Sequence, residues 1–259
     1  MERIEGVLFD IDGVLVVSWE PIDGAADAVA AVRAAGLPVR FVTNTTSIDR
    51  PEIVGRLAAA GIDVAIDEVL TAPAASAAWL RTTHPGARCY LINSGDLGDD
   101  LAGVTFVDGD DPADVVVLGG AGPEFSYTQM NHALGLLLEG ADLVGMHRNR
   151  YWRTAEGFCL DTGAYLAALE GAAEVTATVL GKPSPDFFAT AVAELGVDRA
   201  HVAMVGDDVE NDVLAAQAVG LHGVLVRTGK FRPETLAGVD GTPDAVIDSV
   251  AALPGLLGT

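Results

Sequence analysis

Short apolar runs alternate with alanine-rich helical patterns along this chain, and this alternation constrains the fold more than any other feature. The run Val7 to Phe9 predicts a first strand, and residues 23–35 predict a helix that ends before Gly36. Residues 39–42 predict the next strand, and residues 50–61 a second helix. Strands that alternate with helices are typical of a parallel sheet with crossover helices. We therefore expect an α/β fold.

The pattern begins again between about residues 75 and 175, with strands predicted at 89–94, 115–120 and 142–147 and a helix at 126–140 that begins at Ser126. It resumes beyond residue 179, with helices predicted at 185–195 and 211–219 and strands at 201–208 and 223–229. The economical interpretation is one core domain, residues 1–75 and 176–259, with a Rossmann-like parallel sheet. A second α/β domain, residues 76–175, interrupts it.

Composition excludes several classes of partner. The 259 residues are half hydrophobic, enough for a full core, and carry a net charge of −22. Such a surface repels phosphate backbones and anionic lipids, so we expect neither a nucleic-acid nor a membrane partner. Cys89 and Cys159 lie in no metal-binding spacing, and no secretory signal or long apolar run is evident. We expect a cytoplasmic protein.

Polar residues follow three predicted strands of the core, at the sheet edge where doubly wound folds bind ligands. They are Asp10, Asp12, Thr43, Asn44, Asp207 and Asp208, joined by Lys182 from the segment before the helix that leads to the third of these strands.

Carboxylates at this density repel one another unless a hard cation lies among them, and their oxygens suit Mg²⁺. A phosphoryl group would complete the charge balance, held by Lys182, Thr43 and the backbone N–H groups that follow Asp10, such as that of Gly13. One aspartate could then attack phosphorus and form an aspartyl-phosphate. A carboxylate two residues on could protonate the leaving oxygen and later deprotonate the attacking water.

Four segments, DIDGV, VTN, GKPSPDFF and VGDDVEND, occur in this order with the insert between the second and third. They resemble the four motifs of the haloacid dehalogenase superfamily. The placement of the insert resembles subclass IIA, in which a cap of the C2 type interrupts a Rossmann-like core. Within this subclass the chain is similar to the p-nitrophenyl phosphatases and to the phospholysine phosphohistidine inorganic pyrophosphate phosphatases.

The resemblance implies a Mg²⁺-dependent phosphatase that acts on a small phosphorylated metabolite, with Asp10 as nucleophile and Asp12 as general acid and base. Because dehalogenases of the superfamily lack the second aspartate, Asp12 favours phosphate chemistry. The other implied roles are phosphoryl binding by Gly13, Thr43, Asn44 and Lys182, Mg²⁺ ligation by Asp10, the Asp12 backbone carbonyl and Asp207, and support from Asp208 and Asp212. By the same analogy a homodimer would pair through the caps.

Alternatives remain open at this point. The DxDG segment suits a simple turn, and Thr43 and Asn44 could cap a helix. Lys182 could be a solvated loop residue, and Asp208 and Asp212 could be helix N-terminal charges. A phosphotransferase or phosphomutase would use the same Asp10. A phosphoaspartate signalling receiver gathers similar residues but has no insert, and a catalytically silent phosphate-binding protein would keep the motifs without turnover.

Two segments of the insert have compositions that could indicate ligand binding. HRNRYWR, residues 147–153, is the most basic stretch of the chain, so Arg148, Asn149 and Arg150 are candidates for substrate selection, with a solvated loop as the alternative. The glycines of VVVLGGAGPEF follow a strand, but Phe125 stands where G-x-G-x-x-G requires its third glycine. We interpret this segment as a tight turn.

Overall fold

The computed structural model describes residues 3–109, 111–154 and 157–258. In this part of the chain the strands are β1 (Gly6–Asp10), β2 (Val16–Val17), β3 (Glu20–Pro21), β4 (Val39–Thr43), β5 (Val69–Thr71), β6 (Arg88–Ile92), β7 (Thr105–Phe106), β8 (Val115–Leu118), β9 (Asp142–Gly145), β10 (Tyr151–Thr154), β11 (Gly157–Leu160), β12 (Thr178–Val179), β13 (Val202–Gly206), β14 (His222–Val226) and β15 (Ala245–Ile247).

The α-helices of the same residues are α1 (Ala25–Ala34), α2 (Arg50–Ala59), α3 (Ala72–Thr83), α4 (Tyr127–Leu138), α5 (Thr162–Ala173), α6 (Pro185–Leu195), α7 (Ala215–Ala218), α8 (Pro233–Gly238) and α9 (Leu253–Leu257). Short 3₁₀-helices lie at Ile66–Glu68, Gly98–Leu101, Arg199–His201 and Val250–Ala252, and a π-helix spans Val209–Leu214.

The chain divides into two compact units, which we call the core unit (residues 1–43, 50–70 and 182–259) and the inserted unit (residues 44–49 and 71–181). These limits differ by a few residues from the predicted boundaries near 75 and 176. The segment 44–49 also belongs to the inserted unit, whereas the sequence interpretation placed it in the core.

The core unit is built on a six-stranded sheet in the order β15-β14-β13-β1-β4-β5. The described pairings of β1, β4, β13, β14 and β15 are all parallel. Strand β1 is buried along its whole length, as expected for a parallel strand covered on both faces. Phe9 of β1 stacks on Phe41 of β4, with ring centroids 5.8 Å apart. The predicted Rossmann-like core is confirmed.

The inserted unit has its own parallel five-stranded sheet, in the order β12-β9-β8-β6-β7. Successive residues of β8 face opposite sides. Val116 and Leu118 pack in a cluster with α4 and α5, whereas Val115 and Val117 pack with α3. The antiparallel pair β10–β11 forms a separate two-stranded sheet. The predicted α/β insert is therefore confirmed.

One predicted helix has a different form in the structure. Residues 211–219, expected as a single α-helix, lie partly in the π-helix Val209–Leu214 and partly in α7. The carbonyl of Asp208 accepts hydrogen bonds from the backbone N–H groups of both Asp212 (3.0 Å) and Val213 (3.2 Å), and the second of these is the wider π-type bond. Among the described residues, no helix is long and apolar enough to span a membrane.

Candidate active site

The core sheet has a topological switch point between β1 and β13. The chain runs from β1 outward to β4 and β5 on one side, and from β13 outward to β14 and β15 on the other. Ligands of doubly wound folds bind at the carboxyl ends of strands beside such a point. Asp10 is the last residue of β1, and Asp207 directly follows β13. The structure thus brings these two predicted residues to the position where a ligand is expected.

Three carboxylates meet at this edge. Asp10, Asp207 and Asp212 are 5%, 1% and 1% exposed, and each offers a carboxylate oxygen within 4.8 Å of the others. Asp212 reaches the cluster from the π-helix that follows Asp208. Repulsion among buried carboxylates favours a bound cation or an added proton, so this carboxylate cluster needs positive charge.

Lys182 supplies part of that charge from the loop before α6. Its Nζ lies 2.7 Å from Asp10 Oδ1 and 2.8 Å from Asp212 Oδ1, and its side chain is 3% exposed. Burial alone lowers the pKa of Lys182, but the charges of Asp10 and Asp212 outweigh it and raise the pKa above the ordinary value. The ammonium therefore stays charged at neutral pH. Asp10 Oδ1 also accepts a hydrogen bond of 2.8 Å from the Ile11 backbone N–H, which fixes the carboxylate.

Asp207 is the least compensated member of the carboxylate cluster. Its Oδ2 accepts a hydrogen bond of 2.6 Å from the Lys230 backbone N–H, whereas its buried Oδ1 has no hydrogen-bond partner among the described residues. Burial and the nearby Asp10 charge raise the pKa of Asp207 well above its ordinary value. Burial likewise raises the pKa of Asp212, although Lys182 acts in the opposite direction. Hard divalent cations bind to groups of carboxylate oxygens such as these. The buried Oδ1 of Asp207, which has no other partner among the described residues, is therefore suited to be one of the ligands.

Gly13 allows the backbone of the loop after β1 to lie very close to the carboxylate cluster. The residue has φ +90°, and a Cβ placed on it would lie 1.9 Å from Asp207 Oδ2. Only glycine fits here, because a side chain would be both strained and in collision with the carboxylate. The loop after β1 therefore packs directly against Asp207.

Asp12 lies beyond the carboxylate cluster in the same loop. It is exposed, and its side chain makes no hydrogen bond or ion pair with the residues that the structure describes. An accessible carboxylate two residues from Asp10 is placed to exchange protons with solvent and with a bound molecule. Its predicted role as acid and base is consistent with this exposure and stays a prediction.

Thr43 is the last residue of the neighbouring strand β4, and Asn44 follows it. Asp10 pairs with Val42 in the β1–β4 register, so buried Thr43 comes next along β4 at the same edge. Asn44 is partly buried, and a Cβ placed on Gly181 would lie 2.5 Å from its Oδ1. Its amide thus lies against the residue before Lys182.

Asp208 is engaged in capping. Its Oδ1 accepts hydrogen bonds from the backbone N–H groups of Glu210 (3.1 Å) and Asn211 (3.0 Å), and its own N–H donates to Asp212 Oδ2 at 3.2 Å. The helix-capping alternative accounts for these carboxylate contacts. Asp208 thus caps the start of the π-helix and contacts the carboxylate of Asp212, and its predicted supporting role in the site stays a prediction.

The candidate specificity residues lie in the inserted unit, where they differ from one another. Arg148 forms a two-pronged ion pair with Glu170, with both N–O distances 2.8 Å, and this pair holds the pKa of Glu170 below its ordinary value. Asn149 is partly buried, and its carbonyl accepts a 2.7 Å hydrogen bond from the Gly163 N–H. Arg150 is exposed, and its side chain has no partner among the described residues.

Sequence reasoning missed the segment Thr228–Gly229–Lys230 after β14. Thr228 Oγ1 donates a 2.5 Å hydrogen bond to the Gly13 carbonyl, and the Lys230 N–H donates to Asp207. The signal that could have found it is position, because this segment follows the strand beside β13 and contains the second of the two lysines of the chain.

Comparisons with known proteins agree with this geometry. The sequence pattern of the haloacid dehalogenase-like hydrolases matches residues 7–107, and that of a family described as HAD-hydrolase-like matches residues 179–253. The chain is 38% identical to the phospholysine phosphohistidine inorganic pyrophosphate phosphatase of Homo sapiens over 260 residues, which cover 98% of this chain and 94% of that protein.

Solved structures give the same result. The p-nitrophenyl phosphatase from Archaeoglobus fulgidus matches with a TM-score of 0.90 and 30% identity, covering 98% of this chain and 100% of that one. NagD from the E. coli K-12 strain matches with a TM-score of 0.85 and 28% identity, covering 96% of this chain and 98% of that one. These matches confirm the resemblance that the four sequence motifs indicated.

Proposed function

The chain belongs to the haloacid dehalogenase-like hydrolase family, and we propose that it is a Mg²⁺-dependent phosphatase that hydrolyses a small phosphorylated metabolite through an aspartyl-phosphate intermediate. The observation that carries this proposal is the buried contact between Asp10 and Lys182 within the carboxylate cluster. It places a fixed carboxylate and a permanent positive charge at the carboxyl end of β1. Phosphoryl transfer requires both, one to attack phosphorus and the other to stabilise the phosphoryl oxygens.

In the first step an oxygen of Asp10 attacks phosphorus, and the bond from phosphorus to the leaving oxygen breaks. Asp12 donates a proton to that oxygen. In the second step Asp12 takes a proton from water, the water oxygen bonds to phosphorus, and the bond to Asp10 breaks. Inorganic phosphate and the free Asp10 carboxylate result, so Asp12 ends as it began.

Lys182, Thr43 and Asn44 would hold the phosphoryl oxygens during both steps. The Gly13 N–H was also predicted to do so, but it already donates a 2.7 Å hydrogen bond to the Val16 carbonyl. Asp10, Asp207 and the Asp12 carbonyl would hold Mg²⁺, whose charge would offset the repulsion between the carboxylates and the phosphoryl group. Asp212 supports the site through Lys182, and Asp208 supports Asp212. The partnerless Oδ1 of Asp207 supports the metal assignment.

The names of the relatives suggest candidate substrates. One relative is named for phospholysine, phosphohistidine and inorganic pyrophosphate, and a structural neighbour for p-nitrophenyl phosphate. These are small phosphorylated molecules, and the net charge of −22 disfavours nucleic acid. We further propose a cytoplasmic location, supported by two cysteines that form no disulfide, and a homodimer paired through the inserted units.

The first test is phosphate release from these candidates and a panel of phosphorylated metabolites, with Mg²⁺ or with a chelator. The wild type is compared with Asp10→Asn and with the matched control Asp63→Asn, an exposed aspartate elsewhere in the core unit. We expect Mg²⁺-dependent turnover that Asp10→Asn abolishes and Asp63→Asn retains. Use of ¹⁸O-labelled water separates hydrolysis, which labels the phosphate, from transfer to another acceptor. Full activity of Asp10→Asn would overturn the proposal.

A further inference from the structure

The segment Thr228–Gly229–Lys230 is built against the carboxylate cluster. Thr228 holds the carbonyl of Gly13 at 2.5 Å, and the Lys230 N–H holds Asp207 Oδ2 at 2.6 Å. Gly229 has φ +59°, and a Cβ placed on it would lie 2.0 Å from Asp207 Oδ2 and 2.5 Å from the Gly13 Cα. Three successive residues thus contact either Asp207 or the loop that follows the nucleophile.

The side chain of Lys230 differs from that of Lys182. Lys182 is buried in two ion pairs, whereas Lys230 is exposed and its ammonium forms no ion pair within the described ranges of the chain. It acts through space. Although the residue as a whole is exposed, the surrounding protein removes part of the water around its ammonium, which lowers the pKa of Lys230. Attraction by Asp207, Asp10 and Asp212 outweighs this effect and raises the pKa above its ordinary value.

The charges of the site explain why a second cation is useful. Three buried carboxylates face one buried ammonium, so the cluster lacks two positive charges, which is the charge of one divalent cation. Before a metal binds, the Lys230 ammonium is a further source of positive charge for Asp207, because the backbone N–H of Lys230 is bonded to that carboxylate. After a metal binds, the same ammonium repels it, because like charges at short range oppose each other.

We propose that Lys230 is a built-in counter-ion of the metal site, which stabilises the carboxylate cluster in the metal-free protein and weakens Mg²⁺ binding. This inference rests on the proposed function, because it takes Asp207 as a metal ligand. The Lys230 ammonium would thus raise the stability of the metal-free protein and lower its affinity for Mg²⁺. A purely structural lysine would not produce this combination, since loss of a structural contact weakens the fold and the binding site together.

The test compares Lys230→Met with Lys230→Arg, which keeps the charge, and with Arg227→Met. Arg227 directly precedes this segment but pairs with Asp248 at the surface, so its replacement changes the net charge equally without removing a contact of the carboxylate cluster. Melting temperature is measured in chelator, and Mg²⁺ affinity is measured by calorimetric titration of the metal alone. Neither readout needs turnover or a substrate.

We expect Lys230→Met to melt about 2–4 °C lower than the wild type without metal and to bind Mg²⁺ about three- to tenfold more tightly. Lys230→Arg should match the wild type in both measurements, and Arg227→Met should show neither effect. If the wild type binds Mg²⁺ and Lys230→Met binds it equally or more weakly, the counter-ion role is wrong and the proposed function stands. If the wild type binds no Mg²⁺, the metal assignment and the counter-ion role both fail.

Discussion

Lys182 Nζ lies 2.7 Å from Asp10 Oδ1, and both side chains are almost fully buried. The same ammonium also contacts Asp212 at 2.8 Å, so two carboxylates share one positive charge. A buried ion pair of this kind adds little net stability over an apolar replacement of both partners, but removal of one partner leaves an uncompensated charge. The pair is therefore better explained by chemistry at Asp10 than by stability.

Replacement of Lys182 by methionine should expose this cost. We expect Lys182→Met to lower the free energy of unfolding by about 3–5 kcal/mol at pH 7 and to reduce phosphate release by at least about 10²-fold. Urea unfolding and a phosphate assay measure the two effects. The control Arg227→Met removes an exposed pair and should cost less than about 1 kcal/mol. Equal costs in the two variants would show that Lys182 is not the counter-charge of the cluster.

Stability of the metal-free protein should fall as the pH rises from 3.8, the ordinary value, through the raised pKa of Asp207. Because the pKa of Asp207 is higher in the folded protein than in the unfolded chain, the folded state binds more protons over the range between the two values. The gain on acidification begins below the raised pKa and is complete near 3.8, the ordinary value. Chemical denaturation in chelator across this range measures it.

Two comparisons test whether the slope of stability against pH arises from the carboxylate cluster. Asp207→Asn should flatten it, and Asp63→Asn should leave it unchanged. Saturating Mg²⁺ should also flatten it, because the cation and the protons compete for the same oxygens. A slope that persists in Asp207→Asn would place its origin elsewhere in this acidic chain.

The parts of this site that follow strands were predictable from the sequence. Asp10, Thr43 and Asp207 each stand at the end of an apolar run, and the parallel sheet brings such ends to one edge. Lys182 was identified because lysine is rare in this chain and precedes the helix that leads to β13. In these cases position along the chain implies position in space.

Other features depend on contacts that no local pattern encodes. The π-helix at 209–214 rests on the Asp208 carbonyl accepting two backbone hydrogen bonds, which residue types do not reveal. Lys230 contacts Asp207 through its backbone N–H, which every residue except proline possesses. Arg148 pairs with Glu170 on α5, a partner that only the folded inserted unit identifies.

Gly13 offers a test of the close approach between the loop after β1 and Asp207. Gly13→Ala should place Cβ about where Asp207 Oδ2 now lies, since the Cβ position is only 1.9 Å from that oxygen. Gly36 is the matched control. Its φ of +80° would strain an alanine similarly, but no atom lies within 4 Å of its Cβ position. Gly36→Ala should lose only about 1–2 kcal/mol of stability, without loss of activity.

Gly13→Ala should show the same backbone strain and, in addition, lose Mg²⁺ affinity and about 10²-fold or more of its activity, because Asp207 must move. Calorimetric Mg²⁺ titration and phosphate release measure the two losses. If Gly13→Ala loses stability but keeps wild-type Mg²⁺ affinity, Asp207 does not depend on the glycine for its position.

The three candidate specificity residues should separate into two groups. Arg148→Ala breaks the ion pair with Glu170, which is partly buried, so it should cost about 0.5–1.5 kcal/mol of stability and leave the order of preferred substrates unchanged.

Arg150→Ala and Asn149→Ala should change relative kcat/KM between substrates by about tenfold, with little change in stability, because exposed Arg150 has a guanidinium free to bind a ligand anion. Ratios of kcat/KM for pyrophosphate and p-nitrophenyl phosphate measure this selectivity, and Arg150→Lys tests whether charge alone suffices. Unchanged ratios in all three alanine variants would exclude this loop from substrate selection.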